Sequence, residues 1–295
     1  MAILISEKFE AWKQTCEARI EEIRNAENEM NMLFKENYDL ENSSVHTQNS
    51  EEGISIRRAD YQREIKSLIS YAVGCMFGRY SLDEAGLIYA GGMWDPSRYI
   101  TYIPDKDGII PISDDEYFDD DIVSRFIEFV SVVYGKETLE ENLQYISEAL
   151  KGKGTAREII RSYFLNDFYA DHLKTYQKRP IYWMFDSGKK NGFKCLIYVH
   201  RYRPDTIARI RTDYVHEQQS RYRTAIADLQ QRIDSASTSD RVRLNKKLAS
   251  LQEQDAEIHG FEERIHHLAD QMIAIDLSDG VKNNYEIFRD VLAKI

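Results

Sequence analysis

The chain opens with an apolar stripe that recurs at steps of three and four residues. Residues at this spacing share one face of an α-helix, and polar residues fill the other face. A single helix cannot bury such a stripe alone, so we expect it to dock on another part of the chain. A second stripe predicts a helix over about residues 56–75. The first stripe comprises Ile5, Phe9, Trp12, Cys16, Ile23, Met30 and Phe34, and the second Tyr61, Ile65, Leu68, Ile69 and Ala72.

The polar stretch at residues 42–53, NSSVHTQNSEEG, has almost no apolar content and predicts a mobile linker. After the second helix, residues 87–89 form a short apolar piece that resembles a strand. A glycine pair and a turn at Trp94, Asp95 and Pro96 follow it.

Residues 176–202 predict a β-hairpin. Pro180 is placed where proline is tolerated, at the start of the first strand (residues 181–185). Glycine and asparagine mark the turn, and an apolar run at residues 193–199 is the return strand. Mixed aromatic and cationic residues in a protruding hairpin suit a phosphate-lined surface. The alternative is a core hairpin whose lysines only keep the turn soluble. Its cations are Lys178, Arg179, Lys189, Lys190, Lys194, Arg201 and Arg203.

Three helices are predicted to begin at capping boxes, in which a hydroxyl and a glutamate satisfy free backbone amides. The boxes start at Ser113, Thr138 and Thr155, and Gly135 and Gly152 are natural helix ends. The aspartate-rich run at residues 114–121 then falls in a first helical turn, where carboxylates favour the helix dipole. We prefer this structural explanation of the run to a cation site.

The last third predicts two antiparallel helices. One begins near Pro204 and ends near Ile233, residues 235–240 form a turn, and the return helix carries a heptad stripe. Imperfections at Asp255 and Glu262 favour an antiparallel coiled-coil arm over a two-chain zipper. The stripe comprises Leu244, Leu251, Ile258, Ile265 and Met272, with Leu248 and Leu268 between them.

These patterns predict a mainly α (α+β) fold, with a helical body, a small antiparallel β-hairpin and a long C-terminal helical hairpin. Three regions are expected. Residues 1–53 form an amphipathic helix and linker, residues 54–203 a compact α+β core with the basic hairpin, and residues 204–295 the helical arm.

Composition places the chain among folded proteins, since 42% of its 295 residues are hydrophobic and 30% are charged. No apolar run of about eighteen residues and no signal peptide are present, which predicts a cytoplasmic protein without membrane contact. The net charge of −11 argues against a general nucleic-acid coat protein. The charge is uneven, however: residues 104–148 hold thirteen acidic and three basic residues, and residues 172–223 hold twelve basic and four acidic. One cationic face could therefore meet DNA.

Three blocks of sequence resemble the C-terminal region of the adenine-specific DNA methyltransferases of BREX phage-defence systems and of related single-chain restriction-modification enzymes. The first is RPIYW-F-SGKKNGF--LIY-HRY, with DTIARIRTDY after it. The second is SLISYAVGCMFGRYSLDEAGLIYAGG at residues 67–92, and the third is IIPISDDEYFDDDIVSRFIEFV at residues 109–130. The resemblance covers residues 54–213 closely and the flanking helices loosely.

The resemblance implies a catalytic domain that is not in this chain. Enzymes of that family need a glycine-containing loop for S-adenosylmethionine and an Asn/Asp-Pro-Pro-Tyr-type loop for the target amino group. None of the five prolines here is adjacent to another, so the second loop is missing. No catalytic, cofactor or metal ligand is therefore assigned to this chain, and S-adenosylmethionine is expected in the missing domain.

Two functions remain open at this point. In the first, the chain is a non-catalytic C-terminal module that positions DNA through the seven hairpin cations or joins the defence complex. Its partners are then DNA, the methyltransferase catalytic domain and other subunits of that complex. In the second, the chain is a protein-interaction scaffold with no DNA contact.

Overall fold

The computed structural model describes residues 2–37 and 57–295, so the predicted linker at residues 42–53 lies outside the described residues. The mainly α (α+β) fold class is confirmed. The helices are α1 (Ile5–Asn37), α2 (Tyr61–Met76), α3 (Ile122–Tyr134), α4 (Leu139–Leu150), α5 (Ala156–Asn166), α6 (Phe168–Thr175), α7 (Thr206–Arg209), α8 (His216–Ser235), α9 (Thr238–Ala269) and α10 (Val281–Ile287). The strands are β1 (Ile109–Pro111), β2 (Tyr182–Asp186) and β3 (Lys194–Tyr198).

The predicted hairpin of β2 and β3 is confirmed, and it forms the centre of the molecule. The sheet has the order β1-β3-β2, and both pairs are antiparallel. Because side chains alternate along a strand, the sheet contributes to two cores. Helices cover both faces, so the hairpin does not protrude, contrary to expectation. One face carries Ile110, Tyr182, Met184, Leu196 and Tyr198, and the other Ile109, Trp183, Phe185, Cys195 and Ile197.

Strand β1 was not predicted from the sequence. The prediction of a strand-like segment at residues 87–89 is wrong, because these residues form no strand. β1 is three residues long and includes Pro111, so it lacks the usual strand pattern. Residues 87–89 follow an irregular path between Gly86 and Gly91, both of which have positive φ. The N–H of Ile88 donates to the carbonyl of Arg79 (2.9 Å), but no ladder of such bonds develops.

Helices α2 to α6 form a body around one core. Helix α2 is capped by Asp60, whose carboxylate accepts the N–H of Arg63, and the helix turns its predicted apolar face to the core. The predicted helix α1 is also confirmed, and its start is tied to the body by a hydrogen bond. The N–H of Ile5 donates to the side chain of Asn142 (2.8 Å), whereas Met30 and Phe34 are 52% and 53% exposed.

Of the three predicted capping boxes, only the one at Thr155 is complete, with Glu158 returning the bond. Thr138 precedes α4 but makes no capping bond with its side chain. The box at Ser113 is wrong, because α3 begins at residue 122, after Asp121. The Asp121 carboxylate accepts the N–H of Val123 (3.0 Å) and starts the helix there. The aspartate-rich run at residues 114–121 therefore precedes the helix.

The two predicted C-terminal helices are present. A π-helical turn (Ile210–Val215) joins α7 to α8, and α9 returns antiparallel beside α8. The stripe of α9 faces the core as expected, except that Met272 lies beyond the helix and is 50% exposed. The buried members of the stripe are Leu244, Leu251, Ile258 and Ile265.

No helix within residues 2–37 and 57–295 is long and apolar enough to cross a lipid bilayer.

The last residues pack along the outer edge of β2. The N–H of Asp186 donates to the carbonyl of Val291 (3.0 Å), and the N–H of Ala293 donates to the carbonyl of Met184 (2.8 Å). The arm and this segment share one core with the sheet. The predicted boundaries at residues 53 and 203 stay a prediction.

Candidate nucleic-acid interface

The register of the hairpin divides the seven predicted DNA contacts between its two ends. Tyr182 pairs with Tyr198 at one end and Asp186 with Lys194 at the other. Four steps along a strand separate these pairs by roughly 14 Å. We call the first the open end, where the chain enters at residues 178–181 and leaves at residues 199–203, and the second the turn end. Lys178, Arg179, Arg201 and Arg203 belong to the open end, and Lys189, Lys190 and Lys194 to the turn end.

One carboxylate from α9 holds the turn end. Glu257 accepts hydrogen bonds from the Ser187 hydroxyl (2.8 Å) and from the backbone N–H of Lys190 (2.8 Å). It also accepts the N–H of Gly192 (3.0 Å). The Lys190 ammonium is itself paired with Glu253 (2.7 Å). The turn is therefore docked on an acidic stretch of the arm, and a phosphate approaching it would meet two carboxylates.

Besides Lys190, two more of the predicted contacts have partners inside the protein. Lys194 is only 8% exposed, and its ammonium donates to the carbonyl of Leu165 (3.0 Å). A DNA contact by Lys194 stays a prediction, and the burial of its ammonium group does not favour it. The Arg201 guanidinium donates to the carbonyls of Asp105 (2.6 Å) and Lys106 (3.1 Å), which fixes its position at the open end.

The remaining cations of the open end, Lys178, Arg179 and Arg203, are exposed. Lys178 has a φ of 59° and the preceding Gln177 a φ of 50°. Such left-handed backbone is costly for residues with a side chain, by about 1–3 kcal/mol each, and strain of this kind clusters at functional sites. The N–H of Lys178 donates to the carbonyl of Leu173 (2.8 Å), which holds the strained turn in place.

A cationic cradle of about 140 Å³ lies beside Arg203. We define it by Lys106, Arg201, Arg203 and Arg209, with Trp94 in its wall. The Arg201 guanidinium lies 4.3 Å from the centre of the Trp94 ring, and Lys106 is exposed. Clustered guanidinium groups suit phosphate oxygens because they donate several fixed N–H groups. Lys106 and Arg209 were not predicted; the aspartate-glycine turn around Lys106 was the one local signal.

Carboxylates border the cradle. Asp107 pairs with Arg209 (2.8 Å), and the Tyr214 hydroxyl donates to both Asp107 (3.1 Å) and Asp120 (2.9 Å). Burial, together with the neighbouring Asp105, raises the pKa of Asp107 to about 6. Burial also raises the pKa of Asp120. These acids limit where a phosphate can approach.

The raised pKa of Asp107 predicts a pH dependence of stability. The unfolded chain releases this proton near pH 4 and the folded chain near pH 6, so rising pH lowers stability across that window. We expect Asp107→Asn to remove roughly 2 kcal/mol of this loss. Thermal melts at pH 4.5 and pH 7 measure it. Asp213→Asn is the matched control, since Asp213 is half exposed and lies 3.6 Å from the same Arg209. Parallel pH profiles for parent and Asp107→Asn would contradict this reasoning.

The chain has relatives among known methyltransferases. No model of a known protein family matches the chain. The chain is 41% identical over 282 residues to the adenine-specific methyltransferase PglX of Lacticaseibacillus casei (strain Zhang), an alignment that covers 94% of this chain. It is 45% identical over 246 residues to the adenine-specific methyltransferase BrxX of Escherichia coli O9:H4 (strain HS), covering 78% of this chain.

The chain spans about a fifth of the length of these relatives, 23% of PglX and 20% of BrxX. The matched part is their C-terminal region. Identity above 40% over most of this chain confirms the resemblance noted in the sequence: the chain is a homologue of the C-terminal region of the PglX and BrxX adenine-specific methyltransferases.

Proposed function

We propose that the chain is a non-catalytic C-terminal module of a BREX-type DNA adenine-N6 methyltransferase, and that it helps to hold DNA through the open end of the hairpin. The relatives' names support adenine as the methylated base, and the missing Pro-Pro loop supports a binding role for this chain. Methyl transfer from S-adenosylmethionine then takes place in a catalytic domain outside this chain. Other subunits of the defence complex are further proposed partners.

One observation carries the proposal: exposed cations meet at one end of the central sheet in a chain with a net charge of −11. Lys178, Arg179 and Arg203 lie on the two chain segments that flank the β2–β3 pair, and the cradle adds Lys106 and Arg209. The N–H of Val199 donates to the carbonyl of Ile181 (3.1 Å), which ties the two segments together. Contacts between cations and phosphates fix the position of a protein on DNA and do not identify the bases. Cations held at fixed distances from one another suit this role, because phosphates are regularly spaced along the backbone.

The test is charge reversal at the open end. We expect Lys178→Glu/Arg179→Glu/Arg203→Glu to weaken duplex binding at least tenfold. The slope of log affinity against log salt should fall by about three units, roughly one for each lost phosphate contact. Preference among sequences should change little. Electrophoretic mobility shift across a salt series measures all three quantities.

Two control variants sharpen this test. Lys189→Glu/Lys190→Glu reverses the turn end, where Glu253 and Glu257 already compete with phosphate, and should flatten the slope by less than one unit. Arg241→Glu/Arg243→Glu/Lys246→Glu makes the same change in net charge on exposed positions of α9. If the open-end variant is folded and still binds DNA like the parent at every salt concentration, the proposal is wrong. A larger loss from either control would move the contact to the turn end or to the arm.

A protein-interaction scaffold is the second candidate, and exposed apolar side chains favour it. The irregular segment between α2 and β1 exposes Leu87 (54%), Met93 (94%), Ile100 (76%) and Ile103 (61%). Large exposed apolar clusters mark contact surfaces for other proteins. Under this reading none of the charge-reversal variants changes DNA binding, whereas Met93→Asp/Ile100→Asp abolishes association with the methyltransferase catalytic domain.

A further inference from the structure

A second concave surface, which we call the tyrosine groove, lies on the helical body next to the open end. It has a volume of about 730 Å³. One wall is α2 with the residues that follow it, the other is α6 with Tyr176, and Tyr182 of β2 closes the base. This volume falls within the range of small-molecule sites, roughly 300–1,000 Å³. Its lining includes Lys66, Tyr71, Tyr80, Tyr163, His172 and Lys174.

The charges of the groove favour an anion. Four cations line it, namely Arg57, Arg63, Lys66 and Lys174, against the two carboxylates Asp60 and Asp171. Arg63 is also paired with the neighbouring Glu64 (2.7 Å). Asp60 accepts the N–H of Arg63 at the start of α2, and Asp171 is paired with Lys66 (2.8 Å). One of the two carboxylates and two of the four cations are therefore already ion-paired. Lys174 is exposed at the rim, so its charge is available to a ligand.

The aromatic rings of the groove favour a flat ligand. Tyr71 and Tyr80 stack with their ring centres 5.2 Å apart, and Tyr71 remains 38% exposed. Tyr80 packs directly on Gly74, where an added Cβ would lie 2.4 Å from its ring, so the backbone of α2 fixes its position. Preset aromatic faces bind nucleobases by stacking, at about 1–3 kcal/mol per base.

An unsatisfied donor lies in the wall of the groove, beside the rings of Tyr176 and Tyr182. The Nε2 atom of His172 accepts the N–H of Tyr182 (3.3 Å), so in the neutral ring the proton is on Nδ1. His172 is 4% exposed, and among the described residues its Nδ1 has no hydrogen-bond partner. A buried donor without an acceptor is unfavourable, and an acceptor atom of a ligand that displaced the neighbouring Tyr176 ring, 4.6 Å away, would satisfy it.

We propose that the tyrosine groove binds a nucleotide, with the base against Tyr71 and Tyr80 and the phosphate near the exposed Lys174. The ligand is either a free mononucleotide or one unpaired nucleotide of a single strand, since both present the same base and phosphate. The hydroxyl groups of Ser67 and Ser70 line the same groove and suit the sugar. This proposal is independent of duplex binding at the open end, and its first probe is a mononucleotide.

Calorimetric titration of the chain with AMP, adenosine and inorganic phosphate tests the proposal. AMP should bind one-to-one and more tightly than either fragment. Lys174→Glu should weaken AMP about tenfold and leave adenosine unchanged, because only the phosphate charge is affected. Tyr71→Leu should weaken both AMP and adenosine about tenfold through lost stacking. Lys153→Glu, an exposed lysine in the loop between α4 and α5, is the control and should change neither.

A ten-nucleotide single strand separates the two sources of the ligand. If the strand binds, and the same two variants weaken it while AMP alone does not bind, the groove is a subsite for an unpaired nucleotide. If AMP binds with the variant pattern given above, it is a mononucleotide site. The proposal is overturned if inorganic phosphate binds as tightly as AMP, if neither AMP nor the strand binds at millimolar concentration, or if binding survives both variants.

Discussion

Replacing Ile258 with aspartate is expected to lower the free energy of unfolding by on the order of 3 kcal/mol, because a charge would be buried without a partner. Ile258 is fully buried in the core that the arm shares with the sheet. The arm also lies very close to the turn end here, since a Cβ added to Gly192 would lie 3.2 Å from the backbone nitrogen of Ile258. The variant should therefore loosen the docking of α9 as well as its packing.

Thermal unfolding followed by circular dichroism measures this loss, with an expected fall in Tm of about 5–10 °C. Val242→Asp is the control because Val242 lies in the same helix and is 72% exposed. It should change stability by less than about 0.5 kcal/mol. Equal melting temperatures for parent and Ile258→Asp would show that the heptad stripe of α9 is not a buried seam in solution.

A second large loss is expected when Arg161 is replaced by methionine. The Arg161 guanidinium lies 3.0 Å from both carboxylate oxygens of Asp121, whose side chain is completely buried. Asp121 cannot move away, because it caps α3 and accepts the Ser113 hydroxyl (3.0 Å). Removing one member of a buried pair leaves the other charge uncompensated, which costs about 3–5 kcal/mol.

Helix α5 supplies the matched control for this variant. Arg157 pairs with Glu140 through two short bonds, but the two side chains are 43% and 70% exposed. Arg157→Met should therefore cost less than about 1 kcal/mol in urea unfolding at pH 7. Adding Asp121→Asn to Arg161→Met should restore part of the loss, since the uncompensated charge is then gone. Similar unfolding midpoints for the two single variants would refute the buried pair.

The elements that follow a simple periodicity were predictable from the sequence. The stripes of α2 and α9 and the alternation of β2 and β3 report burial directly, because one face of each element meets the core. The stripe of α1 predicted the helix correctly, although Trp12, Met30 and Phe34 are 42–53% exposed. Strand β1 was not predictable, since three residues that include Pro111 carry no alternating pattern. The start of α3 was also missed. Ser113 and Asp121 are alternative residues at which α3 could begin. The helix begins after Asp121, whose carboxylate is paired with Arg161, and this pairing is not visible in the sequence.

The sequence predicted that positive charge gathers around the hairpin, but it did not predict which of these cations are exposed and which are paired within the protein. The sequence shows that cations cluster around the hairpin, but it does not show which acids lie across from them. Glu253 and Glu257, more than sixty residues away in sequence, meet the turn end. The carbonyl of Leu165 accepts a hydrogen bond from the ammonium group of Lys194. Long-range pairing of this kind separates exposed cations from buried ones, and Lys178, Arg179 and Arg203 of the open end are among the exposed ones.

The segment that packs along β2 has a consequence for self-association. A strand at the edge of a sheet is a template for a strand from another molecule unless something covers it. Here residues 291–293 occupy the N–H of Asp186 and the carbonyl of Met184, so that side of the sheet is capped by the chain's own last residues. Shortening the chain ahead of Val291 would uncover an apolar edge and promote aggregation.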